Sequence, residues 1–284
     1  MKIQWYPGHM TKAKRAMLED IKLIDLVIEI VDARIPMSSR NPDIDKLAAN
    51  KSRVILLNKS DLADENVNDA WVQYFTGKGF HVIKVDSRSK AGMSKVKNLI
   101  ADACREKKEK DRKKGIINRP VRAMVAGIPN VGKSTFINSY AGKSCAKTGN
   151  KPGVTKGKQW IRLNKDVELL DTPGILWPKF DDEKVGTDLA FIGSVNDQVI
   201  NLTELAVELA AFLKITYPKQ LEARYGENIA SLTEAEIIDA IADARGCLKK
   251  GGEIDYDRAV ALFLDDFRSG RIGKISVEFP HDYE

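Results

Sequence analysis

Long apolar runs are missing from this 284-residue chain. A membrane-spanning helix needs about 20 consecutive apolar residues, and the most apolar stretches, residues 26–31 and 54–57, are only strand-sized. Cysteine is scarce: Cys104, Cys145 and Cys247 lie far apart, with no CxxC pair and no His at ligand spacing. That excludes a disulfide framework and a zinc site, and points to a reduced, cytoplasmic protein. The opening residues, Met1-Lys2-Ile3-Gln4-Trp5, lack the basic-then-apolar layout of a secretory signal. Apolar residues at 43% and charged residues at 30% fit folded domains rather than disorder, and the length suits two of them.

What charge there is lies unevenly. Residues 1–180 hold 35 Lys/Arg against 19 Asp/Glu, whereas residues 181–284 hold 11 against 21. A half carrying +16 invites a polyanion, because each phosphate contact releases condensed counterions. The run Arg105–Lys114, with seven bases and three acids, reads either as a phosphate-binding arm or as an exposed helix laced with i,i+4 pairs.

Up to about residue 176, short β-branched runs alternate with amphipathic stretches. The runs are Asp25–Val31, Arg53–Leu57, His81–Asp86, Arg122–Ala126, Gln159–Leu163 and Val167–Leu170; helical stretches are Met10–Leu23, Asn66–Phe75 and Met93–Lys108. The alternation predicts an α/β fold with a doubly wound, mostly parallel sheet over residues 1–178. Beyond Pro178 the texture turns helical, with Thr203–Tyr217, Thr233–Arg245 and Tyr256–Arg268, so 179–284 reads as a second, mainly helical domain. Thr233 and Glu236 have capping-box spacing, and Gly246 and Gly270 stand at helix ends.

The chemistry is written in five short segments. Gly127-Ile128-Pro129-Asn130-Val131-Gly132-Lys133-Ser134, followed by Thr135, fits the phosphate-wrapping P-loop and sits between an expected strand and an expected helix. Lys133 would reach the β- and γ-phosphates, and the Ser134 hydroxyl would ligate Mg²⁺. Asn58-Lys59-Ser60-Asp61 fits NKxD, the guanine-reading motif. A carboxylate is acceptor-only, and guanine offers two adjacent donors, N1–H and the 2-amino group, where adenine shows a lone pair. Lys59 can lay its alkyl stem along the base, while Asn58 either addresses the opposite edge or ties its loop to the P-loop. Asp171-Thr172-Pro173-Gly174 fits DxxG, with Asp171 toward Mg²⁺ and the Gly174 amide toward the γ-phosphate. Thr155 is the expected switch threonine on Mg²⁺, and Ser87-Arg88-Ser89 the expected loop supporting the guanine.

The order of these segments is inverted. GTPases ordinarily run P-loop, switch threonine, DxxG, NKxD, guanine loop; here NKxD and Ser87–Ser89 come first. The chain resembles the circularly permuted bacterial GTPases of ribosome biogenesis. The likeness runs through Trp5-Tyr-Pro-Gly-His-Met10, Val31-Asp-Ala-Arg-Ile-Pro-Met-Ser-Ser-Arg-Asn-Pro42, the P-loop, Lys151–Thr155 and Asp171–Pro178. It implies GTP binding and hydrolysis to GDP, coupled to late maturation of the large ribosomal subunit, with rRNA and ribosomal proteins as partners. It also implies an RNA-binding-like C-terminal domain, whose RNA face in this acidic half must be local, near Arg245, Lys249, Lys250, Arg268, Arg271 and Lys274. No membrane or DNA partner is expected, and the chain is expected to act as a monomer. The alternative kept open is a signalling GTPase with a protein partner.

Ile175 stands where small GTPases carry a water-orienting Gln, so intrinsic hydrolysis should be slow. Help is expected from His9, as an acceptor for the water's proton, or from a K⁺ held by Asn130.

Overall fold

The computed structural model describes residues 19–116, 119–142, 159–162, 165–171 and 183–283. His9, Thr155 and Gly174, together with most of the expected Met10–Leu23 helix, lie outside the described residues.

Six strands form one sheet in the order β3-β2-β1-β4-β6-β5. They are β1 (Leu26–Asp32), β2 (Ser52–Asn58), β3 (His81–Val85), β4 (Val121–Ala126), β5 (Gln159–Arg162) and β6 (Val167–Asp171). Every neighbouring pair is parallel except the antiparallel edge pair β5–β6. All seven residues of β1 are buried, as a central strand covered on both faces requires. Along this half of the sheet run α1 (Pro42–Leu47), α2 (Glu65–Gly77), α3 (Met93–Ala103), α4 (Arg105–Lys113) and α5 (Lys133–Ala141).

One face of β1 and β2 carries two apolar clusters. Val27, Met124 and Ala126 meet Ile44 and Ala48; Val31, Ile55 and Leu57 meet Trp71 and Phe75. Glu29 shares that face, buried, its carboxylate accepting from the guanidinium groups of Arg40 at 3.1 Å and Arg53 at 2.9 Å. Arg40 is thereby absorbed into a structural ion pair, as is buried Arg34, which fills its donors with Asp32.

The expected Met93–Lys108 helix is two helices. At Cys104 the backbone relaxes to φ −101°, ψ 9° and the thiol is fully buried, its pKa pushed up to about 11 by that burial. The basic run that follows forms α4, which buries no residue and carries the i,i+4 pair Lys107–Asp111 at 2.5 Å. The exposed-helix reading of that run is the one observed.

The second unit holds residues 183–275 and is helical: α6 (Glu183–Phe191), α7 (Leu202–Thr216), α8 (Pro218–Tyr225), α9 (Glu234–Ala244) and α10 (Tyr256–Arg268). Its core is the apolar stripe of each long helix, Leu205, Leu209 and Leu213 on α7, Ile237 and Ile241 on α9, Val260, Phe263 and Phe267 on α10. The capping box forms: Glu236 accepts from Thr233 N–H at 2.9 Å while Glu236 N–H donates to Thr233 Oγ1. Residues 276–283 do not stay with the helices, as a boundary at 179 running to the chain end would have them. They group with the sheet unit. No helix of the described residues is long and apolar enough to cross a membrane.

Candidate nucleotide-binding site

Because β1, β2, β3, β4 and β6 are parallel, their C-terminal ends lie at one edge of the sheet. From that edge emerge NKxD after β2, the Ser87–Ser89 loop after β3 and the P-loop after β4, and Asp171, the first residue of DxxG, ends β6 there. Chain order reverses beside β1, whose neighbours are β2 and β4, and open parallel sheets bind ligands at such a switch point. The inverted motif order is thus undone in space.

Asn58 is the junction. Its Nδ2 donates to the Val131 carbonyl of the P-loop at 2.6 Å. Its Oδ1 accepts from Ser87 N–H at 3.1 Å and Ser87 Oγ at 2.8 Å. Of the two roles open for Asn58, the tie between loops is the one formed, and it joins three motifs. Ser139 on α5 adds a fourth link, its hydroxyl donating to the Ser87 carbonyl at 2.5 Å. Gly132 has to be glycine: its φ is +95°, and a Cβ there would sit 2.5 Å from Asn58 Nδ2. Gly127 is equally constrained, since a Cβ would meet the Ile30 carbonyl at 2.7 Å.

Within the P-loop, Asn130 adopts φ +64°, and Lys133 reaches back over the loop to donate to the Gly127 carbonyl at 2.8 Å. Ser134 and Thr135 lie in the first turn of α5, the positive end of the helix dipole, where an anion would be favoured. In the guanine-loop segment, Asp86 Oδ1 accepts from the N–H groups of Arg88 at 2.8 Å and Ser89 at 3.3 Å, which shapes the turn.

Lys59 adopts φ +57°, and its ammonium donates to Asp32 Oδ2 at 2.9 Å. Asp32 is fully buried; burial favours its neutral form, but the Arg34 guanidinium and Lys59 ammonium outweigh it and hold the carboxyl well below the usual range. Asp61 is shifted the other way, upward, by burial and by the nearby Asp86 charge. Neither Asp32 nor Arg34 was singled out as a site residue on sequence. The signal was present in Val31-Asp-Ala-Arg34, a carboxylate and a guanidinium two apart at a strand's C-terminal end.

For Mg²⁺, Ser134 at the head of α5 carries a hydroxyl, and Asp171, at the end of β6 next to the P-loop strand β4, is a carboxylate residue. Hard oxygen donors of this kind suit Mg²⁺.

A family profile described as 50S ribosome-binding GTPase matches residues 122–241. It begins at the P-loop strand and leaves Asn58–Asp61 outside, as a permuted order demands. Ribosome biogenesis GTPase A of Bacillus cereus is 47% identical over 283 residues, covering 100% of this chain and 96% of its own length. The chain belongs to the ribosome biogenesis GTPase A family. The family member of Bacillus licheniformis is 48% identical over 282 residues, covering 99% of this chain and 100% of its own. Among solved structures, GNP-bound YlqF from T. maritima aligns with a TM-score of 0.68 and 30% identity, over 95% of this chain and 98% of that one. A GDP-bound structure titled TM YlqF aligns at 0.69 with 28% identity, over 94% of this chain and 100% of that one. The fold is that of a circularly permuted P-loop GTPase.

Proposed function

We propose that this chain binds GTP, hydrolyses it to GDP and acts in assembly of the large ribosomal subunit. The observation that carries the nucleotide part is the Asn58 junction, which joins the NKxD loop to the P-loop and to Ser87. Asp61 takes the N1–H and 2-amino donors of guanine, and Lys59 covers one face of the base. Lys133 and the P-loop amides from Asn130 to Thr135 hold the phosphates. Ser134 and Thr155, with Asp171 through water, would hold Mg²⁺, which when bound offsets charge on the β- and γ-phosphates. Gly174 senses the γ-phosphate.

The names of the relatives, ribosome biogenesis GTPase A and 50S ribosome-binding GTPase, support the large subunit as partner. On the helical unit, three arginines gather on one buried carboxylate. Buried Asp266 accepts from Arg224 at 2.9 Å, Tyr225 at 3.0 Å, Arg245 at 3.2 Å and Arg271 at 2.5 Å. Burial alone would raise the Asp266 pKa, yet these donors hold it low, so three guanidinium groups surround one negative charge. Of the expected RNA face, Arg245 and Arg271 are paired with Asp266, and Arg271 also with Asp265. Arg268 is paired as well, its donors going to the Ala190 and Phe191 carbonyls and to Asp197.

GTP turnover measured with and without purified large subunits tests the reading. Stimulation is expected to exceed tenfold at about 50 mM salt and to fade by about 200 mM as phosphate contacts are screened. Unchanged turnover at both salts would contradict a ribosomal role. The candidates for catalytic help are His9 or a K⁺ at Asn130. His9→Ala should slow single-turnover hydrolysis by about 10²-fold, and replacing K⁺ by Na⁺ should slow the wild type. Equal rates in every arm would leave the ribosome as the sole donor.

A further inference from the structure

The last residues of the chain lie against the loops that frame NKxD. Val277 and Glu278 N–H groups donate to the Arg34 carbonyl at 2.8 and 3.2 Å. The Glu278 carboxylate accepts from Met37 N–H at 2.6 Å and Ser38 N–H at 2.8 Å. Three residues beyond Asp61, the Asp64 N–H donates to Ser276 Oγ at 3.1 Å. Trp71 Nε1 donates to the Glu278 carbonyl at 3.1 Å, and the Tyr283 ring packs on Trp71 with centroids 5.7 Å apart.

Aromatic packing on Trp71 is enough to anchor a chain end. Glu278 is fully buried, and the donors named here are neutral. A buried carboxylate is costly where an apolar residue would serve for anchoring alone. What the carboxylate adds is direction: it fixes two successive amides of the 33–40 loop. That loop carries Arg34, whose Nε and second guanidinium nitrogen each donate to Asp32 at 2.9 Å. It also carries Ser39, whose Oγ accepts from Asp32 N–H at 3.0 Å. Asp32 in turn holds the Lys59 ammonium.

We propose that Glu278 is a positioning residue for guanine-nucleotide binding, acting through the 33–40 loop and Asp32 on Lys59. This rests on the nucleotide-site reading above. The chain passes from the sheet unit to the helical unit and returns at Ser276, so the residues that set Lys59 are those that follow the helical unit directly. Gln at 278 keeps size and shape, but its amide NH₂ turns one of the two N–H acceptances into a donor–donor contact.

The test is a double-mutant cycle on the full chain, reading the dissociation constant of a fluorescent GDP analogue. E278Q is expected to weaken binding about tenfold where Lys59 is present and less than twofold in the K59A background, with kcat at saturating GTP within twofold of wild type. Wild-type affinity in E278Q, or an equal loss in both backgrounds, overturns the proposal. Should E278Q lose its circular dichroism signal, S39A, which removes the loop's acceptor for Asp32 N–H, carries the same cycle: a loss of about threefold with Lys59 and none without it supports the role, and equal losses overturn it. D61N measured alongside separates the two layers. A wild type that binds GDP, loses it on D61N and is indifferent to E278Q overturns the role of Glu278 alone; a wild type that does not bind GDP overturns both.

Discussion

Asp61→Asn is expected to weaken GTP binding by about a thousandfold while leaving the fold intact. Two charge-assisted hydrogen bonds of about 2 kcal/mol each are at stake. The asparagine NH₂ would oppose one guanine donor while its carbonyl accepts from the other. The loss should convert into a gain for xanthine nucleotides, whose C2 carbonyl accepts where guanine donates. ATP should bind neither form well. Equilibrium titration with the three nucleotides reads this directly. Asp61 is exposed and donates nothing to the core, so its thermal midpoint should stay where the wild type's lies. The pH profile offers a separate check. Partial desolvation of its carboxyl and the Asp86 charge raise the Asp61 pKa, and protonation removes an acceptor, so GDP affinity should fall as pH drops, starting above the usual aspartate range. The D61N variant should lack that part of the profile.

Asn58→Ala should be the most damaging single change to both stability and binding. It deletes three buried hydrogen bonds and strands the Val131 carbonyl and the Ser87 N–H and hydroxyl. At about 1 kcal/mol each, the net cost is about 3 kcal/mol, or a thermal midpoint lowered by about 6–12 °C for a domain of this size. Affinity should fall for base and phosphate together, because the change releases both loops from each other. Asn58→Asp separates the two partners. It keeps acceptors for Ser87 and turns a carboxylate on the Val131 carbonyl, so it should damage the P-loop side more. Differential scanning fluorimetry with and without GDP measures both effects. An alanine variant with unchanged midpoint and affinity would mean the junction is incidental.

The strands and three of the motif loops were legible because each is a local pattern: β-branched runs for the sheet, glycine spacing for the P-loop, a strand end before Asn58. Their convergence was legible only through chemistry, since a guanine reader and a phosphate wrapper make sense on one ligand. The choice between two roles for Asn58 was not legible. Its partners Val131 and Ser87 lie 73 and 29 residues away, and only the parallel register of β2, β3 and β4 brings them near. Whether Arg34 and Arg40 face RNA or solvent was not legible, because a basic residue in a loop carries no mark of burial; their carboxylate partners Asp32 and Glu29 sit on the strand before them. The break at Cys104 was hidden by a run of good helix formers on both sides. The tail was least legible of all, because Glu278 binds main-chain N–H groups 240 and 241 residues away, and main chain leaves no trace in composition or spacing.

A crystal structure of the chain with GDP and Mg²⁺ tests the convergence most directly. Both Asp61 carboxylate oxygens should lie about 3 Å from the N1 and 2-amino nitrogens of the base, with the diphosphate wrapped by residues 127–134. A nucleotide whose base turns away from Asp61, or whose phosphates lie outside that loop, would contradict the account.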